Sequence, residues 1–369
     1  MLVRLGKYQL SAAVILFLIG STPLFVTGIE AGQDAWLVML TGMLAGLFFV
    51  WVYLYIQHNE PESSLIQIIR KHFGKYIGTV IAILYVLHFA YQAMRNTRDF
   101  GDLIVLTLMP ESPLFLIMLI MMIISTYAVY QGTEVFFRTL EILFPIVIIS
   151  FFTLILFFFL SGVLNFELLL PVLENGLMPV LKAAVPNVAM TPFAQIAVFL
   201  MFWKYLNNKK YLTKYTLIAY IFTGLFLVLY NILIVAIIGA PLASISTVPL
   251  LRAVPLIQIG GFLERLDPIF VIVLVLCLYT KMTVFYLGAA LALAELLNTS
   301  HRKVFLLVGA VIYAASFIPA NYIEHIWVGF QISHNYDFVL FQAVIPVILL
   351  LIIMVKKKSS KQQNGLPQT

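Results

Sequence analysis

The stretch Pro186-Asn187-Val188-Ala189-Met190-Thr191-Pro192 interrupts an apolar segment that is long enough to cross a membrane. Proline has no amide hydrogen and its ring clashes with the preceding helical turn, so this segment is predicted to unwind. The first apolar run of the chain is interrupted similarly by Gly20-Ser21-Thr22-Pro23. Each interruption alone is also compatible with an ordinary proline kink. Unwound backbone in lipid must face protein or a watery cavity, so the pair favours two broken helices beside such a cavity.

The composition requires lipid as the main solvent of this chain. Of its 369 residues, 62% are hydrophobic and 10% are charged, whereas a soluble domain has about 25% charged residues. The formal net charge of +6 comes from basic loops on one side, and it does not indicate a nucleic-acid partner. The single cysteine, Cys277, lies inside an apolar run and is expected to be a buried thiol. The sequence therefore predicts an all-α integral membrane protein.

The apolar runs predict about ten membrane-spanning helices. They lie near residues 9–30, 35–56, 77–97, 113–131, 140–163, 180–205, 213–239, 267–296, 303–320 and 336–355. The interrupted runs are the first and the sixth, so each begins one half of the chain. This placement is typical of two inverted five-helix repeats with a binding site near the middle of the membrane. We expect a single transmembrane bundle over residues 1–355, with repeats at about 9–163 and 180–355, followed by a polar, disordered tail at 356–369.

The loop charges predict the orientation of the bundle. Loops on one side contain most of the basic residues, from Arg4 and Lys7 to the run Lys356-Lys357-Lys358. Loops on the other side contain mainly acidic residues, such as Glu30 and Glu174. Basic loops stay on the side of synthesis, so both chain ends and the tail are predicted to be cytoplasmic.

Two connections are expected to contain short helices. Residues 57–75 form an amphipathic stretch on the cytoplasmic side, which we predict to begin at Glu60-Pro61 and to end at Gly74. Residues 241–262 are apolar but are broken by three prolines and by Gly260-Gly261. They are predicted to form a re-entrant or surface-lying external helix rather than a span.

Lys281 is the most unusual residue of the predicted spans. It lies roughly 20 Å along the eighth span, near the middle of the membrane. A charged group at this depth is costly and by default indicates function. The alternative is a structural lysine that binds backbone carbonyls of the unwound segments. The two roles overlap, since a lysine can replace the coupling ion of a transporter, and Thr280 and Thr283 are candidates for the same cavity.

Tyr91, Arg95, Arg98 and Asp102 follow one another at spacings of four, three and four residues, which places them on one helical face. Tyr91 is a candidate to close over a ligand, and Arg95 is a candidate to bind its carboxylate. For Arg98 the favoured interpretation is an external ion pair with Asp99 or Asp102. His88 is expected to be a core histidine with a satisfied ring.

The unwound segments also indicate a ligand chemistry. Freed amides at the start of a half-helix attract a carboxylate, and freed carbonyls attract an ammonium group. A zwitterionic amino acid satisfies both. The sequence contains no metal-ligand spacing, phosphate-binding loop or nucleophile constellation, so no metal, cofactor or enzymatic activity is predicted.

Three segments resemble a known family. Ala31-Gly32-Gln33-Asp34-Ala35-Trp36, directly after the broken first helix, is similar to a recurrent motif of spore germination permeases. Asn96-Thr97-Arg98-Asp99-Phe100-Gly101-Asp102 and Phe262-Leu263-Glu264-Arg265-Leu266-Asp267 resemble two further segments of that family. The resemblance extends over nearly the whole chain. The family that the chain resembles is the B subunit of germinant receptors, within the amino acid–polyamine–organocation superfamily.

The resemblance implies a LeuT-like fold of five plus five inverted helices, in the inner membrane of a bacterial spore. It implies a small-molecule germinant (an amino acid, sugar or nucleoside) as the ligand, and germinant receptor A and C subunits as partners. The family's pocket, carried over to this chain, comprises Gly20, Ser21, Thr22, Tyr91, Arg95, Thr191, Lys281 and Thr283. Arg95 and Lys281 give this pocket more positive charge than a neutral amino acid requires.

Three functions are compatible with this sequence. The leading hypothesis is a nutrient sensor that uses a transporter fold to detect a germinant. A proton-coupled amino-acid transporter is the main alternative. An ion or water conduit within a receptor complex is the third, and it requires a pocket that opens on both sides of the membrane.

Overall fold

The computed structural model describes residues 4–257 and 267–363, and these residues form a helical bundle. The α-helices in chain order are α1 (Lys7–Ile19), α2 (Ala35–Asn59), α3 (Leu65–Phe73), α4 (Lys75–Thr107), α5 (Leu114–Gln131), α6 (Thr133–Leu160), α7 (Leu177–Ala183), α8 (Leu212–Ile245), α9 (Leu250–Ala253), α10 (Asp267–Leu296), α11 (His301–Ala315), α12 (Tyr322–Val328) and α13 (Ile345–Gln363). Within the two described ranges, β-type pairing is limited to one isolated bridge, between Leu5 and Leu206.

The described helices account for the predicted spans. Nine helical stretches in these ranges are long and apolar enough to cross a membrane. The predicted span at 303–320 corresponds to α11, whose 15 residues extend about 22 Å. Turns continue past its end, since the Phe317 amide donates to the Ala314 carbonyl and the Ile318 amide donates to the Ala315 carbonyl. Together with α11, the nine stretches match the number of spans expected from the sequence.

Both predicted interruptions are confirmed. In the first span α1 ends at Ile19, Gly20 has a φ of 35°, and a short 3-10 helix follows at Thr22–Leu24. In the sixth span α7 gives way to a π-turn in which Val185 is non-helical (φ −126°, ψ 123°). After Pro192 the chain continues as a 3-10 helix, Phe193–Met201. Proline cannot complete an α-helical hydrogen-bond ladder, so the tighter helix forms beyond it.

One end of the bundle, here named the terminal face, contains both described chain ends. The Leu5 amide donates to the Tyr205 carbonyl at 2.8 Å, and the Asn207 amide donates to the Leu5 carbonyl at 3.0 Å. Near the other chain end, Lys357 Nζ donates to Asn59 Oδ1 at 2.9 Å. The other end of the bundle is the opposite face. The basic loops that were predicted to share one side of the membrane thus belong to one end of the bundle, the terminal face.

Two predicted boundaries require correction. Helix α13 continues to Gln363, into the tail that was expected to be disordered from residue 356, because lysine and glutamine propagate a helix readily. Helix α3 begins at Leu65 rather than at Glu60-Pro61. Its start is set by Ser64, whose hydroxyl accepts from the Gln67 amide, and capping serines favour this position. The predicted end at Gly74 is confirmed.

Residues 241–257 form short pieces rather than a span, as expected. Gly239 (φ 73°, ψ 156°) breaks α8, and α9 and a 3-10 turn at Val254–Leu256 follow. Gly260-Gly261 and most of the resemblance segment at 262–267 lie outside the described residues.

The segment 31–36 anchors a loop of the opposite face. Both carboxylate oxygens of Asp34 accept from the Leu173 amide at 3.1 Å. Gln33 Nε2 donates to the Pro171 carbonyl at 3.1 Å and to Glu174 Oε2 at 3.0 Å. The motif that resembles the family therefore fixes the connection between the two halves of the chain against the broken first span.

Candidate ligand-binding site

A cavity of about 380 Å³ lies between the two broken spans. It is lined by Ser21, Thr22, Phe25, Val26, Thr27, Gly28, Ile29, Glu30, Gln92, Arg95, Asn96, Asp99, Ala183, Asn187, Val188, Thr191, Gln195, Ala243, Ser244, Ser246, Thr247, Pro249, Lys281, Ile326, Phe330 and Phe338. The lining extends from both breaks to loops of the opposite face. Its volume lies in the range of small-molecule sites.

Lys281 lies directly against the first break. Its side chain is 1% exposed, and its ammonium donates to Ser21 Oγ at 3.2 Å. A Cβ atom on Gly20 would lie 2.4 Å from Lys281 Cδ, so only glycine leaves room for the lysine stem. The Phe17 ring centroid is 5.8 Å from the ammonium. The alternative prediction was a structural lysine bound by backbone carbonyls. The described contact of the Lys281 ammonium is instead a serine hydroxyl.

Arg95 is the second cation of the cavity. Its Nη1 donates to Ser333 Oγ at 3.0 Å, while its buried Nε has no partner among the described residues. A Cβ atom on Gly329 would lie 1.9 Å from Arg95 Nη2, so this guanidinium also requires a glycine. The Tyr91 hydroxyl lies 3.3 Å from the same Ser333 Oγ. Tyr91 and Arg95 therefore share a helical face, although Tyr91 does not line the cavity.

Asp99 is the buried carboxylate of the cavity. Its Oδ1 lies 3.0 Å from His325 Nε2, and both side chains are almost fully buried. The predicted pair of Arg98 with Asp102 is confirmed at 2.6 Å. Arg98 also donates to the carbonyls of Ser316 and Pro319, at 3.2 and 2.8 Å. Arg98 thus fixes the loop before α12, and Asp99 fixes α12 itself.

The structure places five of the eight predicted site residues in the cavity lining and the other three outside it. Ser21, Thr22, Arg95, Thr191 and Lys281 line the cavity. Gly20 lies beneath Lys281, and Tyr91 contacts Ser333 behind Arg95. Thr283 is turned away, since its hydroxyl donates to Ser125 Oγ at 3.0 Å. Two residues correspond to about 200° of helical rotation, which places Thr283 on the face away from Lys281.

The sequence analysis did not single out Asn96 and Gln195, which also line the cavity. Each has a buried amide oxygen without a partner in the part of the chain that the structure describes, and so does the hydroxyl of Thr191. Buried polar atoms are rarely left without a hydrogen bond, so these three mark positions where a polar ligand or an ordered water would bind. A neutral amide inside a span gives no sequence signal of the direction in which it points.

A polar cluster borders the cavity beside Gln92. His88 Nδ1 lies 2.7 Å from Asp337 Oδ1, and Gln92 Nε2 donates to Asp337 Oδ2 at 2.7 Å. The His88 ring stacks on Phe341 at a centroid distance of 4.5 Å. The interpretation of His88 as a satisfied core histidine is confirmed, with a carboxylate as its partner.

The cavity is separated from the terminal face by an aromatic layer. Phe17, Phe199 and Phe285 are buried below Lys281, with the Phe17 ring centroid 5.3 Å from that of Phe199 and 5.1 Å from that of Phe285. Closer to the terminal face, Lys204 Nζ donates to Glu295 Oε1 at 2.6 Å. Ser64 Oγ donates to the other oxygen of Glu295. In the described residues, packed aromatic side chains therefore lie between the cavity and the terminal face.

The described lining of the cavity offers both donors and acceptors to a polar small molecule. The ammonium of Lys281 and the Nε of Arg95 are donors, and the amide oxygens of Asn96 and Gln195 are acceptors. In the described ranges no group of three histidine, cysteine or acidic side chains is placed to hold a metal ion.

These features define an integral membrane protein of the LeuT-like fold, with inverted five-helix repeats and broken first and sixth helices. The solved structure of Mhp1, a nucleobase-cation-symport-1 family transporter bound to bromovinylhydantoin, is similar with a TM-score of 0.64. The match covers 95% of this chain and 78% of that chain at 15% identity. At that identity the likeness concerns the fold alone.

The chain belongs to the spore germination protein family, whose model matches residues 4–324. It is 29% identical to spore germination protein KB of Bacillus subtilis, over 93% of each chain. It is 24% identical to spore germination protein YndE of the same organism, over 89% of this chain and 88% of that protein. The predicted resemblance is thereby confirmed.

Proposed function

We propose that this chain is the nutrient-sensing B subunit of a spore germinant receptor. The observation that carries the proposal is the cavity between the two broken spans, in which buried polar atoms of Asn96, Thr191 and Gln195 lack partners among the described residues. Membership of the spore germination protein family supports the biological role. The ligand is a small nutrient of the amino-acid class, bound near the middle of the membrane.

The binding mode follows from the chemistry of the lining. The α-carboxylate of an amino acid accepts hydrogen bonds from Lys281 and Ser21 at the first break. Its ammonium donates to the amide oxygens of Asn96 and Gln195. Both ends of a zwitterion then have partners. Among the described residues no carboxylate lies at ion-pair distance from Lys281. The ligand's carboxylate would therefore supply the missing counter-ion of this buried lysine.

The proposed setting is the inner membrane of the spore, with both chain ends in the cytoplasm. The basic loops of the terminal face support this orientation, and the cavity then opens outward. Germinant receptor A and C subunits are the proposed partners.

A proton-coupled amino-acid transporter is the second candidate function. The structural likeness to a transporter favours it, as does Lys281, because a fixed ammonium at the first break can replace a coupling cation. The two candidates differ in what happens after binding: a transporter must also open toward the terminal face, whereas a sensor need not.

Spores that lack this chain alone provide the test. Release of dipicolinic acid is followed with a panel of amino acids, sugars and nucleosides, beside the parent strain and a strain with the chain restored. We expect loss of the response to a single nutrient. An unchanged germination profile together with reduced uptake of a labelled amino acid in growing cells would instead establish the transporter and contradict the sensor.

A further inference from the structure

Among the described lining residues of the cavity, buried basic side chains outnumber buried carboxylates. The buried or half-buried charged side chains of its described lining are Arg95, Lys281 and Asp99, and Glu30 is exposed at the mouth. Asp99 is close enough to interact electrostatically with both cations, and it also contacts His325. One buried carboxylate of the described lining is thus shared among two basic side chains and a histidine. The lining therefore has one more buried basic side chain than buried carboxylates.

This excess of basic side chains bears on what the cavity binds. A neutral zwitterion contributes no net charge, so one buried cation would still lack a counter-ion in its presence. A buried cation without a partner is costly. A ligand with a net charge of −1 removes this cost, and it needs one carboxylate for each of Arg95 and Lys281.

The two basic side chains belong to different elements and contact different partners. Lys281 belongs to α10 and contacts Ser21 at the first break. Arg95 belongs to α4 and contacts Ser333 in the last span. Each lies over its own glycine, Gly20 or Gly329. The protein has therefore made room for two cations on different elements, and a single carboxylate does not require both.

We propose that the ligand of this cavity is an acidic amino acid, with its α-carboxylate at Lys281 and its side-chain carboxylate at Arg95. Its ammonium donates to the unpartnered amide oxygens of Asn96 and Gln195. This inference rests on the proposed function and narrows its ligand class. Arg95 is then the residue that determines specificity, since it alone distinguishes a side-chain carboxylate from a neutral side chain.

The test uses the purified full-length chain and two pairs of nearly isosteric probes: L-glutamate with L-glutamine, and L-aspartate with L-asparagine. Binding of the labelled amino acids is measured directly. In at least one pair we expect the acidic member to bind about thirtyfold more tightly, the usual cost of leaving one buried charge unpaired. Glutarate, which has both carboxylates but no ammonium, is expected to bind about tenfold more weakly than L-glutamate if glutamate is the preferred member.

Two variants assign the subsites. Arg95→Gln should weaken binding of the acidic amino acid about thirtyfold and leave its neutral partner unchanged, which abolishes the discrimination. Lys281→Met should weaken both members of the pair. Arg138→Gln, which removes an exposed arginine paired with Glu134, is the matched control and should change neither.

The outcomes separate this inference from the proposed function. Equal binding of L-glutamine and L-glutamate, and of L-asparagine and L-aspartate, would overturn the acidic ligand while leaving an amino-acid sensor in place. Discrimination that survives in Arg95→Gln would overturn the assignment of the side-chain carboxylate. Failure of the folded protein to bind any amino acid would overturn the proposed ligand class itself.

Discussion

Two lysines of the bundle, half-buried Lys204 near the terminal face and buried Lys281 in the cavity, have different partners. On the terminal face, Lys204 is paired with Glu295 at 2.6 Å, and Ser64 binds the second oxygen of that carboxylate. In the cavity, Lys281 contacts one serine hydroxyl, and no carboxylate of the described residues lies at ion-pair distance from it.

Under the proposed function, this difference separates a structural lysine, Lys204, from a ligand-binding lysine, Lys281. A buried pair with both partners present contributes to the fold, and removing one partner is costly. A buried cation without a carboxylate lowers stability but is ready to bind an anion. The terminal half is therefore arranged for stability, and the cavity half retains a cost that a ligand can relieve. Four predictions test this division.

The largest expected effect comes from Lys281→Met. Loss of the cation should raise the nutrient concentration for half-maximal dipicolinic acid release by about a hundredfold or more, because a desolvated charge partner is lost. The same change should raise the thermal midpoint of the ligand-free protein, since an unpaired buried cation is removed. Lys210→Met, at an exposed lysine, should alter neither value. A normal response at normal abundance in the membrane would contradict the role of Lys281.

The second prediction concerns Gly329, the glycine beneath Arg95. In Gly329→Ala the new methyl group occupies the position of Arg95 Nη2, so the guanidinium is displaced from the cavity. Ligand affinity should fall by about tenfold or more. Gly6→Ala serves as the control, because its Cβ would meet Gln9 at an ordinary 3.6 Å. Unchanged affinity of the alanine variant at position 329 would exclude Arg95 from ligand contact.

The third prediction is a loss of stability with little change in ligand affinity, the reverse of the effect expected for Lys281→Met. Glu295→Gln leaves Lys204 without its carboxylate and should lower the free energy of unfolding by about 2 kcal/mol, measured by denaturation of the solubilised protein. Affinity for the ligand should change by less than about twofold, since the pair lies beyond the aromatic layer. Glu134→Gln breaks a more exposed pair and should cost under about 0.5 kcal/mol. Equal losses in the two variants would remove the structural role of Glu295.

The smallest expected effect is a pH dependence at Glu60, which lies outside the spans. Burial opposes ionisation of this carboxyl, but its bonds to Lys71 and His72 outweigh that effect and lower its pKa below the ordinary value of 4.5. A lowered folded-state pKa gives stability that is present above pH 4.5 and is lost as the pH falls through the folded-state value. At pH 7, Glu60→Gln should have a lower thermal midpoint than the parent, corresponding to a loss of less than about 1 kcal/mol in the free energy of unfolding. The difference between the two midpoints should shrink as the pH falls toward 4. A gap that widens on acidification would contradict this sign.

Much of the fold could be predicted from backbone chemistry. Pro186, Pro192 and Gly20 identify both breaks because they limit hydrogen bonding or permit unusual dihedral angles. The Glu60-Pro61 signal predicts a start of α3 that is too early, because the helix begins after the capping pair of Ser64 and Gln67. Both signals are local, and only the packed helix shows which of them is used.

The site was less predictable, because it depends on side-chain direction. Thr283 was grouped with Lys281 by proximity in sequence, yet it faces Ser125. Gln195 lies in a 3-10 helix, where the periodicity of an α-helix does not apply. The partner of Asp99 is His325, which is 226 positions away. No local pattern predicts such a contact.

Ser64 links the Lys204–Glu295 ion pair to helix α3. Its hydroxyl donates to Glu295 and accepts from the Gln67 amide, so one atom orients both the end of α10 and the first turn of α3. Movement of α10 that withdraws Glu295 frees this hydroxyl to rotate and weakens a cap that contributes about 1 kcal/mol. Amide hydrogens at the start of α3 would then exchange with solvent roughly fivefold faster. Faster exchange at the start of α3 would thus report a displacement of the Glu295 carboxylate at the end of α10.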